Sequence, residues 1–342
     1  MRNAYSPHRT QRTQRTTRNE QLVCQAPFGS PRSPVGSAFL RVLRGECLWL
    51  FGLAFFVALP AQAALKIFAT VPEWGALSQE IGGDKVEVFT ASTGQQDPHH
   101  IQARPSLIAR ARSADLVVAT GAELEIGWLP LVQRESGNAR IQVGQPGYFE
   151  AAHHVRLLEI PTRLDRSEGD VHPGGNPHIQ TDPRNFLPIG EALTERMAEL
   201  DPADAASYRA NWLAFSQRWR AAIAGWEKKA APLRGVAVAV QHKAFPYLED
   251  WLGLKEVATL EPKPGVEPSL AYLGQLLAQV AAKPPRLVIR SAYQAPQASE
   301  WFGREAKVPV VVVPFTVGGD EQAKDLFALF DDTVDRLLAA VK

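Results

Sequence analysis

The sequence predicts an α/β protein of two lobes, each a mostly parallel sheet flanked by helices, with one long rigid helix joining them. Short apolar runs rich in β-branched residues occur in two sets, and stretches with helical periodicity separate the runs within each set. One uninterrupted helical stretch with an aromatic stripe lies between the sets. The 342 residues, 45% of them apolar, are enough for two lobes with a large buried core.

Residues 1–63 have the features of a secretory signal peptide with an extended basic leader. An uncharged apolar run of 14 residues, 47–60, follows Arg41 and Arg44, and an A-x-A sequence ends at Ala63. The run is shorter than the ~20 residues of a membrane-spanning helix. We therefore expect cleavage after Ala63 and an exported, periplasmic protein. An uncleaved membrane anchor is the alternative.

Residues 64–200 form the predicted N-terminal lobe. Its predicted strands are Leu65–Phe68, Val86–Thr90, Asp115–Thr120 and Arg140–Val143. Because these runs are continuously apolar rather than alternating, a parallel sheet covered on both faces is expected.

Residues 201–231 form the predicted linking backbone helix. Its apolar side chains recur every three or four residues and make a single stripe: Tyr208, Trp212, Phe215, Trp219, Ile223 and Trp226. Asp201 and Pro202 are the residue types of an N-cap and a first helical turn. About 28 residues would give a helix of roughly 42 Å, long enough to lie along both lobes. The alternative is an ordinary core helix of one lobe.

Residues 232–342 form the predicted C-terminal lobe. Its predicted strands are Val236–Val240, Glu256–Thr259, Leu287–Arg290 and Val310–Val313, and helical patterns cover Leu270–Ala282 and Ala323–Val341. The second lobe thus repeats the strand-and-helix alternation of the first without repeating its sequence.

Three histidines stand at positions typical of a ligand site. His99 comes shortly after the strand Val86–Thr90, His242 follows the strand that ends at Val240, and His178 lies in a Pro/Gly-rich loop between the lobes. Ligands of open α/β sheets bind at the carboxyl ends of strands. Imidazole suits Zn²⁺, Cu²⁺, Ni²⁺ and Fe²⁺, and the chain after residue 63 has no cysteine for a thiolate site. The spacing is compatible with a three-histidine metal site, and three surface loop histidines are the alternative.

Four short motifs, taken in order, resemble those of a known family. Residues 97–106 read DPHHIQARPS, residues 176–183 NPHIQTDP, residues 242–247 HKAFPY and residues 267–269 EPS. They resemble the periplasmic zinc- and manganese-binding proteins of metal-uptake ABC transporters, the cluster A-I solute-binding family, in its zinc-uptake branch. The resemblance covers nearly all of residues 65–342.

The resemblance implies a function as well as a fold. Its metal ligands would be His99, His178 and His242, placed in a cleft between the lobes. The protein would capture Zn²⁺ and deliver it to an inner-membrane ABC permease and its ATPase. Members that favour manganese usually have Glu at the third ligand position, so His242 points to zinc, with Mn²⁺ the less favoured cargo.

The fourth ligand is where this sequence departs from the family pattern. Members often carry an Asp after the last strand, but Val317 takes that position and Asp320 follows three residues later. Asp320 could reach the cleft through a Gly-Gly loop, or cap the helix that begins near Ala323. Water or His100 could complete a tetrahedron instead. His172 lies in a loop that would be either a reduced metal-collecting loop or a plain connection.

Two classes of function remain open on the sequence alone. A binding protein would close its ligand shell around the metal, whereas a zinc-dependent hydrolase would keep a water position beside a carboxylate base. The order of the motifs favours the binding protein. Residues 64–342 carry a net charge of −5, which gives no electrostatic reason to bind nucleic acid. We expect a monomer that is not an enzyme.

Overall fold

The structure is a computed structural model that describes residues 63–161 and 172–342. The predicted signal peptide, apart from its last residue, lies outside the described residues, as does most of the loop that precedes His172. Among the helices described, none combines the length and the apolar character needed to cross a bilayer.

The predicted fold class is confirmed by two parallel four-stranded sheets with the same strand order. The first sheet consists of β1 (Leu65–Ala69), β2 (Val86–Thr90), β3 (Leu116–Ala119) and β4 (Tyr148–Glu150), in the order β2-β1-β3-β4. The second consists of β5 (Ala237–Val240), β6 (Lys255–Thr259), β7 (Leu287–Ser291) and β8 (Val310–Val313), in the order β6-β5-β7-β8. Because all pairs are parallel, the carboxyl ends of the strands in each sheet lie at one edge.

Helices connect the strands and cover the sheets. They are α1 (Pro72–Gly82), α2 (Pro105–Ser113), α3 (Leu129–Ser136), α4 (Phe186–Leu200), α5 (Ala205–Lys229), α6 (Pro246–Leu252), α7 (Leu270–Gln279), α8 (Gln297–Ala306) and α9 (Leu326–Val341). Apolar side chains of α2 and α3 pack on one face of the first sheet. Those of α7 and α8 pack on one face of the second sheet. The largest core cluster joins the remaining faces of both sheets through α1, α4, α5 and α9.

Helix α5 packs against helices from both halves of the molecule. Its Trp219 ring lies 5.6 Å from the ring of Phe330 on α9, and Phe215 lies 5.7 Å from Phe327 of the same helix. On the other side the Asn211 amide donates a hydrogen bond of 3.0 Å to the carbonyl of Ile81 on α1. At ~1.5 Å per residue, the 25 residues of α5 give roughly 37 Å of helix. The aromatic stripe therefore serves as the shared core of the two lobes.

The fourth strand of the first sheet was wrongly predicted at Arg140–Val143. There the chain forms a 3₁₀ turn, Ala139–Ile141, because the Asn138 side chain accepts the backbone N–H of Arg140 at 3.1 Å. Ile141 is fully buried on α2 and α3 rather than in the sheet. The strand comes later, where Tyr148 pairs with Val117.

Three predicted helix ends also differ from those observed. Asp201 ends α4 instead of starting α5, and its carboxylate accepts a hydrogen bond of 2.7 Å from the Tyr208 hydroxyl. Helix α9 begins at Leu326 rather than near Ala323, because the Asp325 side chain caps it by accepting from a backbone N–H. Helix α7 ends at Gln279, three residues before the predicted Ala282.

Candidate metal centre

Three histidines meet at one point of the structure. One ring nitrogen each of His99, His178 and His242 lies within 4.8 Å of the other two. Their ring centroids are 5.2 Å apart for His99 and His178, 5.4 Å for His178 and His242, and 5.8 Å for His99 and His242. Within the described residues this is the one such group of metal-ligating side chains.

The ends of two strands place His99 and His242. His242 comes two residues after β5, and the intervening Gln241 continues the sheet by donating its backbone N–H to Ile289. His99 follows β2 in a turn in which its own backbone N–H is donated to the Asp97 carboxylate at 2.9 Å. The Trp128 indole N–H fixes the same turn by a 3.0 Å bond to the carbonyl of Pro98.

The loop of His178 is attached to the segment that carries His242. The Asn176 side chain accepts the backbone N–H of His178 at 3.0 Å and donates its amide to the carbonyl of Lys243 at 2.7 Å. The Tyr247 hydroxyl donates to the carbonyl of Asn176 at 2.7 Å. Consequently two of the histidines are held together by hydrogen bonds, and His99 meets them from the first sheet.

Two of the imidazoles have a carboxylate on the Nδ1 side. Nδ1 of His99 is 2.9 Å from Asp97 Oδ1, and Nδ1 of His242 is 2.7 Å from Glu261 Oε2. An ionised carboxylate only accepts, so this contact favours the neutral tautomer with the proton on Nδ1, in which Nε2 offers its lone pair. Nε2 of His99 is buried and lacks a hydrogen-bond partner among the described residues, so its lone pair is available to a metal ion.

The spacing of the nitrogens fits tetrahedral zinc. Nε2 of His178 lies 3.4 Å from Nε2 of His242. Two nitrogens that each bind a tetrahedral Zn²⁺ ion at 2.0–2.1 Å are ~3.3 Å apart. A zinc ion fits between these atoms without a large movement of either ring.

All three histidines are buried, and burial favours the neutral form of His178, the form that metal binding needs. His99, His178 and His242 are 8%, 1% and 7% exposed. Burial, together with the charge of neighbouring histidines, lowers the pKa of His178 well below its usual value. Burial acts to raise the pKa of Asp97, but its hydrogen bonds with His99 and the charge of His99 outweigh burial and lower it. These shifts favour the neutral form of His178 and the ionised form of Asp97.

The two histidines expected as accessory residues lie beside this group. The ring centroid of His172 is 5.4 Å from that of His99, and the ring of the exposed His100 is 6.3 Å from it. Burial and the charges of His99 and His242 lower the pKa of His172 to about 4. Neither side chain belongs to the group of converging nitrogens.

The Asp320 carboxylate makes its hydrogen bonds outside the group of three histidines. Its Oδ1 accepts the backbone N–H groups of Gln322 and Ala323 at 2.9 and 3.0 Å, and its Oδ2 pairs with Arg336 at 2.5 Å. The carboxylate therefore caps a turn, and it is outside the group formed by the three histidines. Phe315 of the preceding loop contacts His178 instead, with ring centroids 5.4 Å apart.

Two cavities adjoin the histidines. One of about 230 Å³ is lined by His99, His242 and the carboxylates of Asp97, Glu261 and Glu267. The other, of about 190 Å³, is lined by His172, His178 and His242. The carboxylates make the first cavity attractive to a cation.

The sequence analysis missed Glu261. It lies two residues after β6, at the same edge of the sheet as His242. An acidic residue following a strand was a usable signal, but pairing it with His242 requires knowing that β5 and β6 are neighbours.

The chain is similar to proteins of metal-uptake systems. The family model described as zinc-uptake complex component A, periplasmic (ZnuA), matches residues 67–340. The high-affinity zinc uptake system protein ZnuA of Paracoccus denitrificans is 24% identical over 276 residues, 70% of this chain and 80% of that protein. The manganese ABC transporter substrate-binding lipoprotein PsaA of Streptococcus pneumoniae is 21% identical over 257 residues, 74% and 80% of the two chains. A crystal structure of ZnuA is similar in fold, with a TM-score of 0.69 at 22% identity over 82% of this chain and 100% of that one.

Proposed function

The chain belongs to the family of periplasmic zinc-uptake components, and from that premise we propose that it binds Zn²⁺ through His99, His178 and His242 and delivers the ion to an ABC importer. The observation that carries the proposal is the convergence of three buried imidazole nitrogens. The family works with a membrane permease and an ATPase, which makes them the partners of this chain.

The composition of the site supports zinc over manganese as the cargo. Nitrogen donors suit Zn²⁺ better than Mn²⁺, which prefers carboxylate and water oxygens. The protein ligands number three in this proposal. Because Asp320 is paired with Arg336, we assign it a structural role and leave it out of the ligand set.

Binding rather than hydrolysis is supported by the state of the nearby carboxylates. A hydrolytic zinc site needs a carboxylate that can take a proton from the metal-bound water. Asp97 and Glu261 each accept a hydrogen bond from a histidine Nδ1. Both of these carboxylates thus orient ligands, and the proposal is a transport protein that is not an enzyme.

The proposal extends to the organisation and location of the chain. Residues 1–63 direct export and are removed after Ala63, so that the protein acts in the periplasm as a monomer with no nucleic-acid partner. The N-terminal lobe is 64–200, the linking helix 201–231 and the C-terminal lobe 232–342. The family's periplasmic description and the basic, then apolar sequence before Ala63 support export.

Single alanine variants test the ligand set. We expect His99→Ala, His178→Ala and His242→Ala each to weaken zinc binding at least tenfold, because each removes one of three donors. Competition of the purified protein with a zinc chelator measures the affinity. His153→Ala is the matched control, since this exposed histidine pairs with Glu150 outside the site. A ligand variant that binds zinc like the unmodified protein would remove that residue from the site.

A further inference from the structure

The structure assigns Glu261 as a positioning residue for metal binding. We infer that its carboxylate fixes the tautomer and the orientation of His242 and thereby strengthens the metal–nitrogen bond. This inference rests on the proposed function, because it takes His242 as a ligand. Glu261 itself is outside the group of converging ligand atoms, so it acts through the histidine.

Oε2 of Glu261 contacts both the His242 ring and the backbone of Gly265. Glu261 Oε2 lies 2.7 Å from His242 Nδ1 and accepts the backbone N–H of Gly265 at 2.8 Å. The second bond prevents the carboxylate from turning away when the histidine moves. Because Oε2 can only accept, His242 carries its proton on Nδ1, and Nε2 is left to face His178.

Hydrogen bonds that continue the second sheet beyond β6 fix the position of the Glu261 backbone. Beyond β6, the backbone N–H groups of Leu260 and Glu261 are donated to the carbonyls of Val240 and Gln241, at 2.8 and 3.0 Å. The segment after β6 therefore runs beside the segment that carries His242. The Glu261 side chain is only 12% exposed, which shields its bond to the imidazole from competition by water.

The three histidines differ in the group that contacts Nδ1 of each ring. Asp97 orients His99 from two residues away in the same turn. Nδ1 of the buried His178 lacks a hydrogen-bond partner among the residues described. Glu261 is the partner that comes from a separate element, so its side chain can be changed without altering the turn of any ligand. A carboxylate bonded to a metal-binding imidazole also raises the basicity of the ring.

Two substitutions test the inference by affinity. Glu261→Gln keeps the shape and one acceptor oxygen but removes the charge, and Glu261→Ala removes the acceptor. We expect zinc affinity, measured by chelator competition on the purified protein, to fall by about tenfold in the first and by up to about 100-fold in the second. Glu256→Gln, on the preceding strand β6, is the matched control, because that carboxylate accepts from Thr259 and has no bond to a histidine among the described residues.

A spectroscopic readout separates positioning from a general structural effect. In ¹⁵N NMR spectra of the zinc-free protein, His242 should be the Nδ1–H tautomer in the unmodified chain and in Glu261→Gln. It should become a mixture of tautomers in Glu261→Ala. An unchanged tautomer together with affinity within twofold of the unmodified protein would overturn the inference.

The outcomes also distinguish this inference from the proposed function. If the unmodified protein binds zinc and His242→Ala does not, but the Glu261 variants bind normally, the positioning role alone is wrong. If His242→Ala binds zinc normally, the ligand assignment itself is wrong. Should Glu261→Ala fail to fold, the nearly isosteric Glu261→Gln still decides, with thermal unfolding as the check on its structure.

Discussion

The residues of the candidate centre are held by polar groups that are themselves fixed. Asp97 and Glu261 orient two histidines, and each also accepts a backbone N–H. Such support keeps donor atoms close to the geometry a metal ion requires before the ion arrives. At this scale affinity depends on the partners of the ligands as much as on the ligands.

Another buried carboxyl group, that of Glu73, lies where the two lobes meet. Glu73 of α1 is 1% exposed and accepts a hydrogen bond from the Thr316 hydroxyl, in the loop after β8. Burial raises the pKa of Glu73 to about 7, against hydrogen bonds that act to lower it. The protonated form is therefore the form that the folded state prefers.

The raised pKa of Glu73 predicts a pH-dependent stability. A group with a raised folded pKa contributes stability below its unfolded pKa of 4.5, and this contribution is lost as pH rises through about 7. We expect Glu73→Gln, which stays neutral, to gain on the order of 3 kcal/mol of unfolding free energy relative to the unmodified protein between pH 4.5 and 8. Urea unfolding of both proteins with chelator present, at several pH values, measures the difference. A difference that is constant with pH would contradict the assignment.

The individual residues were predictable to different degrees. His99, His178 and His242 stand in recognisable motifs, and the structure brings them together. Asp320 was expected either as a ligand or as the N-cap of the last helix, but it caps the turn before that helix, and Asp325 is the N-cap. Glu261 has no motif, because its role depends on strand adjacency rather than on local sequence.

At the scale of elements, a strong periodic pattern was more reliable than a short one. The aromatic stripe runs along most of the 25-residue helix α5, and it packs against both halves of the molecule. The four apolar and polar residues 140–143 were a weak pattern for a β-strand. A 3₁₀ turn forms there instead, and the Asn138 side chain caps it. Helix ends differed for the same reason, since Asp325 and Asp201 each form a specific side-chain bond.

For the whole molecule, a loop of each lobe comes close to the other near the histidines. A Cβ atom added to Gly94, in the loop that leads to His99, would lie 2.3 Å from the backbone nitrogen of Gly319 and 2.4 Å from the carbonyl carbon of Gly318. Only glycine permits this contact between backbones. We therefore expect the position of His99 relative to the other two histidines to depend on Gly94.

A methyl group at this contact should weaken zinc binding. We expect Gly94→Ala to reduce the affinity on the order of tenfold, because a ligand displaced by much more than ~0.5 Å loses its geometry. Chelator competition measures the affinity, and thermal unfolding checks the fold. Gly274→Ala in α7 is the control, since a Cβ there would meet no atom within 4 Å. Equal affinities for the two variants would mean that the loop contact does not position His99.

The most direct test of the central claim locates the ion itself. Crystals of the zinc-loaded protein, with anomalous diffraction data collected on both sides of the zinc absorption edge, would give its position. We predict one strong site per chain, about 2.0–2.1 Å from Nε2 of His99, His178 and His242. A zinc site elsewhere, or the absence of any site under saturating zinc, would contradict the claim that these three histidines bind the transported metal.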